Sequence, residues 1–375
     1  MRILVLCYEY PPLGGGGGRV AKSIAEQMTL RGHEVRVQTA ALGWHSRRES
    51  IGGVEIFRTA SGRRAPDTCA VYEMGLFVGT SFLPTLGHLR KWKPDVIHAH
   101  FAVPTGVLAW AAHILTKAPY VLTAHLGDVP GGVPEQTDKL FRLIDPLARQ
   151  IWKRAAAVTA VSSFVQDLAE RAYARKPERI LNGIDLFGAP PSLPKPTGPR
   201  RLIFVGRLNA QKRPVFLIEA LARLKAVDWK LTLIGDGPLM ESVRRRIREL
   251  CLDDRVLLTG WLDAADVQKH LREADIFCLP SSSEGLPVAA IEALRHGLAI
   301  VGSAIPGLAD VVENGINGAL TPVDDNAAYT AQIERLLAEP ETLSAMQQAS
   351  ARKAHDFDLA AIAGAYERVL TGAAR

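Results

Sequence analysis

Cysteine is scarce and unpatterned: Cys7, Cys69, Cys251 and Cys278 show no C-x-x-C spacing. That excludes a zinc ribbon or a disulfide framework and leaves a reducing cytoplasm as the expected compartment. No apolar run approaches the roughly 18–20 residues of a membrane span. The start, MRILVLCYEYPP, has too short an apolar core for a signal peptide and lacks a small-residue cleavage site. Aromatic residues make up only 6% of the chain and do not interleave with a basic run. Nucleic acid is therefore not an expected partner. What is there suits a globular protein, 47% hydrophobic and 22% charged over 375 residues. That length allows two domains, each with its own core.

The charge is uneven. Residues 1–190 hold 23 Lys/Arg against 16 Asp/Glu, a net +7; the remainder holds 22 against 23, a net −1. Arg47, Arg48, Arg58, Arg63, Arg64, Arg90, Lys91 and Lys93 supply much of the excess. Such asymmetry suits either a solvated basic face or contact with an anionic membrane or acceptor.

The stretch 280–297, PSSSEGLPVAAIEALRHG, organises the second half. It follows the apolar run ADIFCL, which reads as a buried strand. Pro287 reads as the first helical residue and Gly297 as the stop, predicting a helix over 287–296. Glu284 stands before that helix and Glu292 inside it, with carboxylates on the order of 10 Å apart. A helix start leaves N–H groups that dock anions. The spacing suits one polyhydroxylated ligand gripped at both ends, and is long for two carboxylates attacking one bond. A capped surface helix with solvated acids is the plain alternative.

The chain opens strand–glycine loop–helix–strand: 2–8, then 14–18, then 19–31 with Val20, Ile24 and Met28 at helical spacing, then 34–39. That is how a doubly wound sheet begins. Gly14–Gly18 is not a P-loop, because Ala21 rather than Gly precedes Lys22-Ser23. It is not a dinucleotide fingerprint either, because Arg19 replaces a glycine and Gln38-Thr39 replace the acid. A glycine loop open to a phosphate or sugar remains, beside a loop without a ligand. Residues 41–90 carry no readable pattern. DVIHAH (95–100) is a strand whose His98 and His100 read as core or strand-end residues, too few for a metal. Strands follow at 120–124 and 157–162, with Ser162 or Ser163 capping the next helix.

Five prolines within 188–200 mark a linker. The strand–loop–helix unit then restarts: strand 201–205, the loop GRLNAQKRP, and a helix to Leu224. Arg207 and Lys212 lie where cations and helix N–H groups can converge on a diphosphate. Strands 230–235 and 255–259 follow. Asp356-Phe357-Asp358 matches a metal-binding D-x-D, but helix capping at the start of 359–370 accounts for it better.

These motifs, in this order and over essentially the whole chain, resemble retaining, nucleotide-sugar-dependent glycosyltransferases of the GT-B fold (family 4, "group 1"). The resemblance implies an α/β architecture of two facing Rossmann-like doubly wound domains with a C-terminal helix crossing back to the first. Its expected boundaries are an acceptor-side domain over 1–187, a linker over 188–200, a nucleotide-sugar domain over 201–356 and the returning helix over 357–375. Carried over residue by residue, Glu284 binds donor-sugar hydroxyls and Glu292 the ribose. The Gly285 and Leu286 amides face sugar and diphosphate, and Arg207 and Lys212 hold the diphosphate. Trp261 and Leu262 stand by the base. Gly15 and Gly16, with Gly17 beside them, form the N-terminal glycine pair, and five consecutive glycines are more than the family usually carries. In TAHLGD, His125 contacts the sugar near the reaction centre and Asp128 is a second candidate. Asn182-Gly183-Ile184-Asp185 resembles a structural turn ending the first domain.

The implied reaction moves a hexosyl group from a nucleoside diphosphate sugar, UDP before GDP, to a hydroxyl acceptor with retention of configuration. It needs no metal and no cofactor beyond the donor. The acceptor is a glycan, a lipid-linked saccharide or a small molecule, in cell-surface polysaccharide, glycolipid or related synthesis. The expected location is cytoplasmic, with peripheral contact at the inner face of the cell membrane as an option. Two rivals stand beside it: a nucleotide-sugar-binding protein without transferase activity, and a nicotinamide-dependent oxidoreductase disfavoured by the failed fingerprint. A related phosphorylase would need a pyridoxal-binding lysine, and none is identifiable.

Overall fold

The computed structural model describes residues 1–66, 68–132, 134–186, 198–224 and 227–375, with backbone only for 134–143. The chain divides into two compact units, Met1–Gly183 with Leu359–Arg375, and Ile184–Asp358. Most of the proline-rich linker expected at 188–200 lies outside the described residues.

The first unit runs β1 (Arg2–Leu6), α1 (Gly16–Leu30), β2 (Glu34–Leu42), β3 (Arg47–Ile51), β4 (Val54–Arg63) and α2 (Val71–Gly87). It continues β5 (Val96–His100), α3 (Thr105–Thr116), β6 (Tyr120–Ala124), α4 (Pro134–Arg154), β7 (Ala157–Ala160), α5 (Ser163–Tyr173) and β8 (Glu178–Arg179). The sheet order is β3-β4-β2-β1-β5-β6-β7-β8. Among the described strands of this unit only the edge hairpin β3–β4 is antiparallel. Ile3, Leu4, Ile97, Val121 and Leu122 are fully buried, as strands covered on both faces demand. Each such side chain contributes about 1.5–3 kcal/mol. Ser162 caps α5, its Oγ accepting from Val165 N at 3.2 Å. The unreadable stretch 41–90 turns out to hold β3, β4 and α2, a hairpin and a helix at the sheet's edge.

The second unit is β9 (Arg200–Val205), α6 (Pro214–Leu221), β10 (Trp229–Ile234), α7 (Met240–Glu249), β11 (Val256–Gly260), α8 (Ala264–Glu273) and β12 (Ile276–Leu279). Then come α9 (Val288–Arg295), β13 (Ala299–Ser303), β14 (Gly318–Thr321), α10 (Asn326–Ala338) and α11 (Pro340–Lys353). Among the described residues its six strands are all parallel, in the order β11-β10-β9-β12-β13-β14. Phe204, Trp229, Leu231, Ile276 and Tyr329 anchor its core. Pro287 is the extended residue before α9 rather than its first helical one (φ −74°, ψ 107°).

The last helix, α12 (Leu359–Ala374), belongs to the first unit and packs on α1, β5 and β6. Glu367 fixes it there, accepting from Arg31 Nη1 at 3.0 Å and meeting His33 Nε2 at 2.8 Å. Asp356 pairs with Lys353 at 3.0 Å just before that helix.

In both sheets the chain starts at a central strand, winds one way, then returns to wind the other. The direction reverses between β1 and β5 in the first unit and between β9 and β12 in the second. Open α/β sheets bind ligands beyond the carboxyl ends of strands at such reversals.

Candidate active site

In the second unit the loops after β9 and β12 flank the reversal point and are tied together. Ser282 N donates to Gln211 O at 2.8 Å, and Gln211 Nε2 donates to Ser283 O at 2.8 Å. Asn209 Oδ1 accepts from Lys212 N at 3.0 Å, fixing the turn that precedes α6. The result is a partly buried ion pair: Lys212 Nζ lies 2.6 Å from Glu284 Oε1, with side chains 17% and 8% exposed. Gly307 presses on the same place, since a Cβ there would lie 1.7 Å from the Glu284 carbonyl oxygen. Gly237 stands similarly close to the Leu208 backbone, holding the loop that carries Arg207.

Arg207 is half-buried in that loop, Leu286 is buried, Gly285 precedes α9, and Glu292 is half-buried within α9. Trp261 and Leu262 follow the edge strand β11, and Trp261 is largely exposed. Their strand end joins that of β10 through Gly235 N donating to Gly260 O at 2.8 Å.

In the first unit the loops after β1, β5 and β6 meet at the other reversal point. Gly16, Gly17 and Gly18 are not loop residues: α1 begins at Gly16, with Gly15 as its N-cap. Glycine favours no helix, so the sequence pattern places the start at Arg19 instead. The close approach of neighbouring backbone explains the glycines better. A Cβ at Gly18 would lie 1.6 Å from Glu9 O, and one at Gly17 would lie 2.6 Å from the Phe101 ring and 3.3 Å from His125 Nδ1. No side chain caps α1 and no acid occupies its first turn. The carboxylate of Glu9 stands at this helix start, its Oε2 accepting from Gly15 N at 3.4 Å, as the positive end of a helix favours.

His125 is buried, stacked on Phe101 at 4.4 Å, with Nε2 3.4 Å from His100 Nδ1. Burial lowers its pKa to about 4, so the imidazole is neutral near pH 7 and serves as a hydrogen-bonding group, not a cation. His98 and His100 are core residues, as their strand positions suggest. His98 Nε2 meets Thr123 Oγ1 at 2.8 Å, and His100 Nε2 is buried without a hydrogen-bond partner among the described residues.

Asp128 is occupied structurally. Its Oδ2 accepts from His125 N at 2.8 Å and its Oδ1 from Ala102 N at 2.7 Å, stapling the β6 loop to the β5 loop. Burial raises its pKa to about 7.

The basic surface inferred from composition needs correcting. Arg58 and Arg63 are 2% and 1% exposed. Arg58 donates to Tyr10 O and Pro11 O, and Arg63 to Tyr8 O, Ala65 O, Pro66 O and Thr68 O. The burial of each is compensated by hydrogen bonds to backbone carbonyls, with Glu49 2.5 Å from Arg58 Nε. They support the segment leading to Gly14–Gly18, a role that basic residues scattered in an unreadable stretch did not announce. Arg47, Arg48, Arg64, Arg90, Lys91 and Lys93 are exposed.

Among the described residues no helix is long and apolar enough to cross a membrane, and no three His, Cys, Asp or Glu side chains gather as metal ligands.

Two doubly wound units, each with polar loops converging at its reversal point, are the architecture of a GT-B transferase. Family models described as Glycosyltransferase Family 4 and Glycosyl transferases group 1 match residues 14–186 and 189–353. The chain belongs to the group 1 glycosyltransferases and has the GT-B fold. It is 28% identical to a glycogen synthase of Mycobacterium tuberculosis, over all of this chain and 95% of that one. A sucrose-phosphate synthase of Thermosynechococcus elongatus superposes with a TM-score of 0.83 at 21% identity, covering 98% of each chain. Anabaena HepE in complex with UDP and glucose superposes with a TM-score of 0.78 at 21% identity over 99% of each.

Proposed function

We propose that this chain transfers a hexosyl group from a nucleoside diphosphate sugar, a UDP-sugar before a GDP-sugar, to a hydroxyl acceptor with retention of configuration and without a metal. The observation that carries this reading is the Lys212–Glu284 pair at the second unit's reversal point. A cation for a diphosphate and a carboxylate for sugar hydroxyls stand side by side there. The HepE complex with UDP and glucose, on the same fold, supports the donor class. Synthesis of a cell-surface polysaccharide, glycolipid or related glycan is the proposed setting.

The difficult event is departure of a doubly charged diphosphate from an oxocarbenium-like carbon. Arg207 and Lys212, with the Gly285 and Leu286 amides ahead of α9, stabilise the charge developing on that leaving group. Glu284 accepts hydrogen bonds from sugar hydroxyls and Glu292 from the ribose, with Trp261 and Leu262 beside the base. At the first unit's own reversal point the amides of Gly16 and Gly17 at the start of α1 and the ring of neutral His125 offer hydrogen-bonding groups suited to a sugar, while Gly15 N donates to Glu9 Oε2 at 3.4 Å. Asp128 holds His125 rather than touching the donor. On the front-face route the C1–O bond to the diphosphate breaks and the acceptor oxygen bonds to C1 on the same face. A leaving phosphate oxygen takes the acceptor's proton.

The test is incubation with UDP-glucose, UDP-galactose, UDP-N-acetylglucosamine and GDP-mannose, each with a panel of neutral and anionic saccharide acceptors, reading nucleotide release and the anomeric proton of the glycoside formed by NMR. Release from one donor with the donor's anomeric configuration kept is the expected result. An inverted product contradicts retention, and no release from any donor contradicts the transferase reading for these sugars.

A further inference from the structure

A cavity lies on the first unit, at the carboxyl ends of β2 and β4. Its volume is about 440 Å³, within the range of small-molecule sites. Leu42, Trp44, Gly62, Arg63, Arg64 and Tyr72 line it. Trp44 and Tyr72 are 65% and 53% exposed, an unusual outlay of aromatic surface toward water in a chain with few aromatics.

The Trp44 ring lies over Gly62, and Tyr72 is tied through its hydroxyl. Gly62 has φ +65° and stands so close to Trp44 that a Cβ would lie 3.0 and 3.1 Å from its ring. Tyr72 donates its hydroxyl to Glu73 Oε1 at 3.2 Å. Glu73 is itself 4% exposed and accepts from the amides of Ala70 and Arg64 at 2.8 and 3.2 Å. The pairing of β2 with β4 shifts register between Ala40 and Leu42. Irregularities of this kind re-aim side chains beside active sites. The wall is bonded to the glycine segment: Gly14 N donates to Pro66 O at 2.7 Å, and Arg63 Nη1 to Tyr8 O at 3.3 Å.

The two arginines differ in what they can do. Arg63 is spent on backbone carbonyls. Arg64 is exposed, with its guanidinium 6.0 Å from the Tyr72 ring centre. The carboxylate of Glu73 beside it is already engaged by amides and a hydroxyl. A planar fork beside aromatic faces is a receptor for a carboxylate or phosphate attached to something flat and weakly apolar.

We propose that this cleft seats the acceptor, and that the acceptor is a saccharide carrying a negative charge, a uronate carboxylate or a sugar phosphate. Its ring lies against Trp44 and Tyr72, and its anionic group pairs with Arg64. The inference rests on the glycosyl-transfer reading above. A lining of two aromatic rings and one exposed arginine around about 440 Å³ matches a single charged sugar ring.

The test is calorimetric titration of the full chain with glucuronate, glucose 6-phosphate and glucose, and separately with UDP. The charged sugars should bind at least tenfold more tightly than glucose. Arg64→Gln should bring them down to the level of glucose, and Trp44→Ala should weaken all three at least tenfold. UDP affinity should be unchanged in both variants, and parent-like far-UV circular dichroism and amide exchange within residues 1–183 report that the first unit folds. Variants that bind all three sugars as the parent does overturn the proposal, as does a parent that binds none. Trp44- and Arg64-dependent sedimentation with phosphatidylglycerol vesicles, without sugar binding, reassigns the cleft to a membrane and also overturns it. Failure of the parent to bind UDP counts against the transfer reading instead, and the sugar titrations separate the two.

Discussion

Lys212 Nζ lies 2.6 Å from Glu284 Oε1, joining the β9 loop to the β12 loop across 72 residues of sequence. The pair is shielded enough that removing one partner strands a charge, at a cost of about 3 kcal/mol. Lys212→Met and Glu284→Gln should each destabilise the chain in urea, and the double variant should lose less than the two losses combined. Activity should not follow stability. Lys212→Ala should lower turnover at least tenfold, a barrier increase of about 1.4 kcal/mol, and the double variant should remain slow. A Lys212→Ala variant within tenfold of the parent contradicts the diphosphate role.

Gly307 offers a way to move Glu284 without touching its charge. A methyl group there meets the Glu284 carbonyl at 1.7 Å, so backbone must shift. Misplacement by about 1 Å costs on the order of 100-fold in rate. Gly307→Ala should therefore cut kcat at least tenfold while the urea transition moves by less than about 3 kcal/mol. Parent-like kcat would mean that Glu284 needs no such fixing.

Arg63 is expected to be a positioning residue for the glycine segment. Arg63→Lys keeps the charge but cannot reach Tyr8, Ala65, Pro66 and Thr68 carbonyls together. Orphaned buried acceptors should cost about 1–3 kcal/mol. KM for the donor should rise more than kcat falls. The exposed neighbour Arg64→Gln should stay within about 0.5 kcal/mol of the parent in stability.

Much of this was legible in the sequence because strand cores and turn residues announce themselves. The strand Tyr120–Ala124 ends at the residues read from its apolar run, and the glycine and lysine loops fall directly after β1 and β9. Glu284 and Lys212 could be singled out from their motifs, but nothing in their spacing shows that they touch. The start of α1 is hidden because three glycines carry no helical signal. Arg58 and Arg63 read as surface charge because burial of a cation depends on carbonyls that only the fold brings near. Residues 41–90 stay opaque because an edge hairpin and a helix with weak periodicity leave little pattern to read.

The histidine cluster gives the chain a pH signature. Burial lowers the pKa of His125 to about 4, of His98 to about 3, and of His100 well below its usual value. The unfolded chain binds protons at these groups near 6.5 while the folded chain does not, so stability is present above pH 6.5 and lost as pH falls toward 4. Asp128 works the other way: raised to about 7, it favours the folded state at low pH and loses that advantage as pH rises to 7. Three depressed histidines outweigh one raised carboxyl, because a tenfold change in proton affinity is worth about 1.4 kcal/mol at each group. Urea unfolding should show lower stability at pH 5 than at pH 7. His98→Phe should reduce the difference, and an unchanged pH dependence would contradict the assignment.

Thermal unfolding with UDP, GDP, ADP and NAD, each at about 1 mM, reads the donor assignment without needing an acceptor. A nucleotide binding near 10 μM adds roughly 2.7 kcal/mol, enough to raise Tm visibly. Tm should rise with UDP, or failing that GDP, and the rise should disappear in Lys212→Ala. A rise with NAD alone, or with UDP but undiminished in Lys212→Ala, would contradict a nucleotide-sugar site built on the Lys212–Glu284 pair.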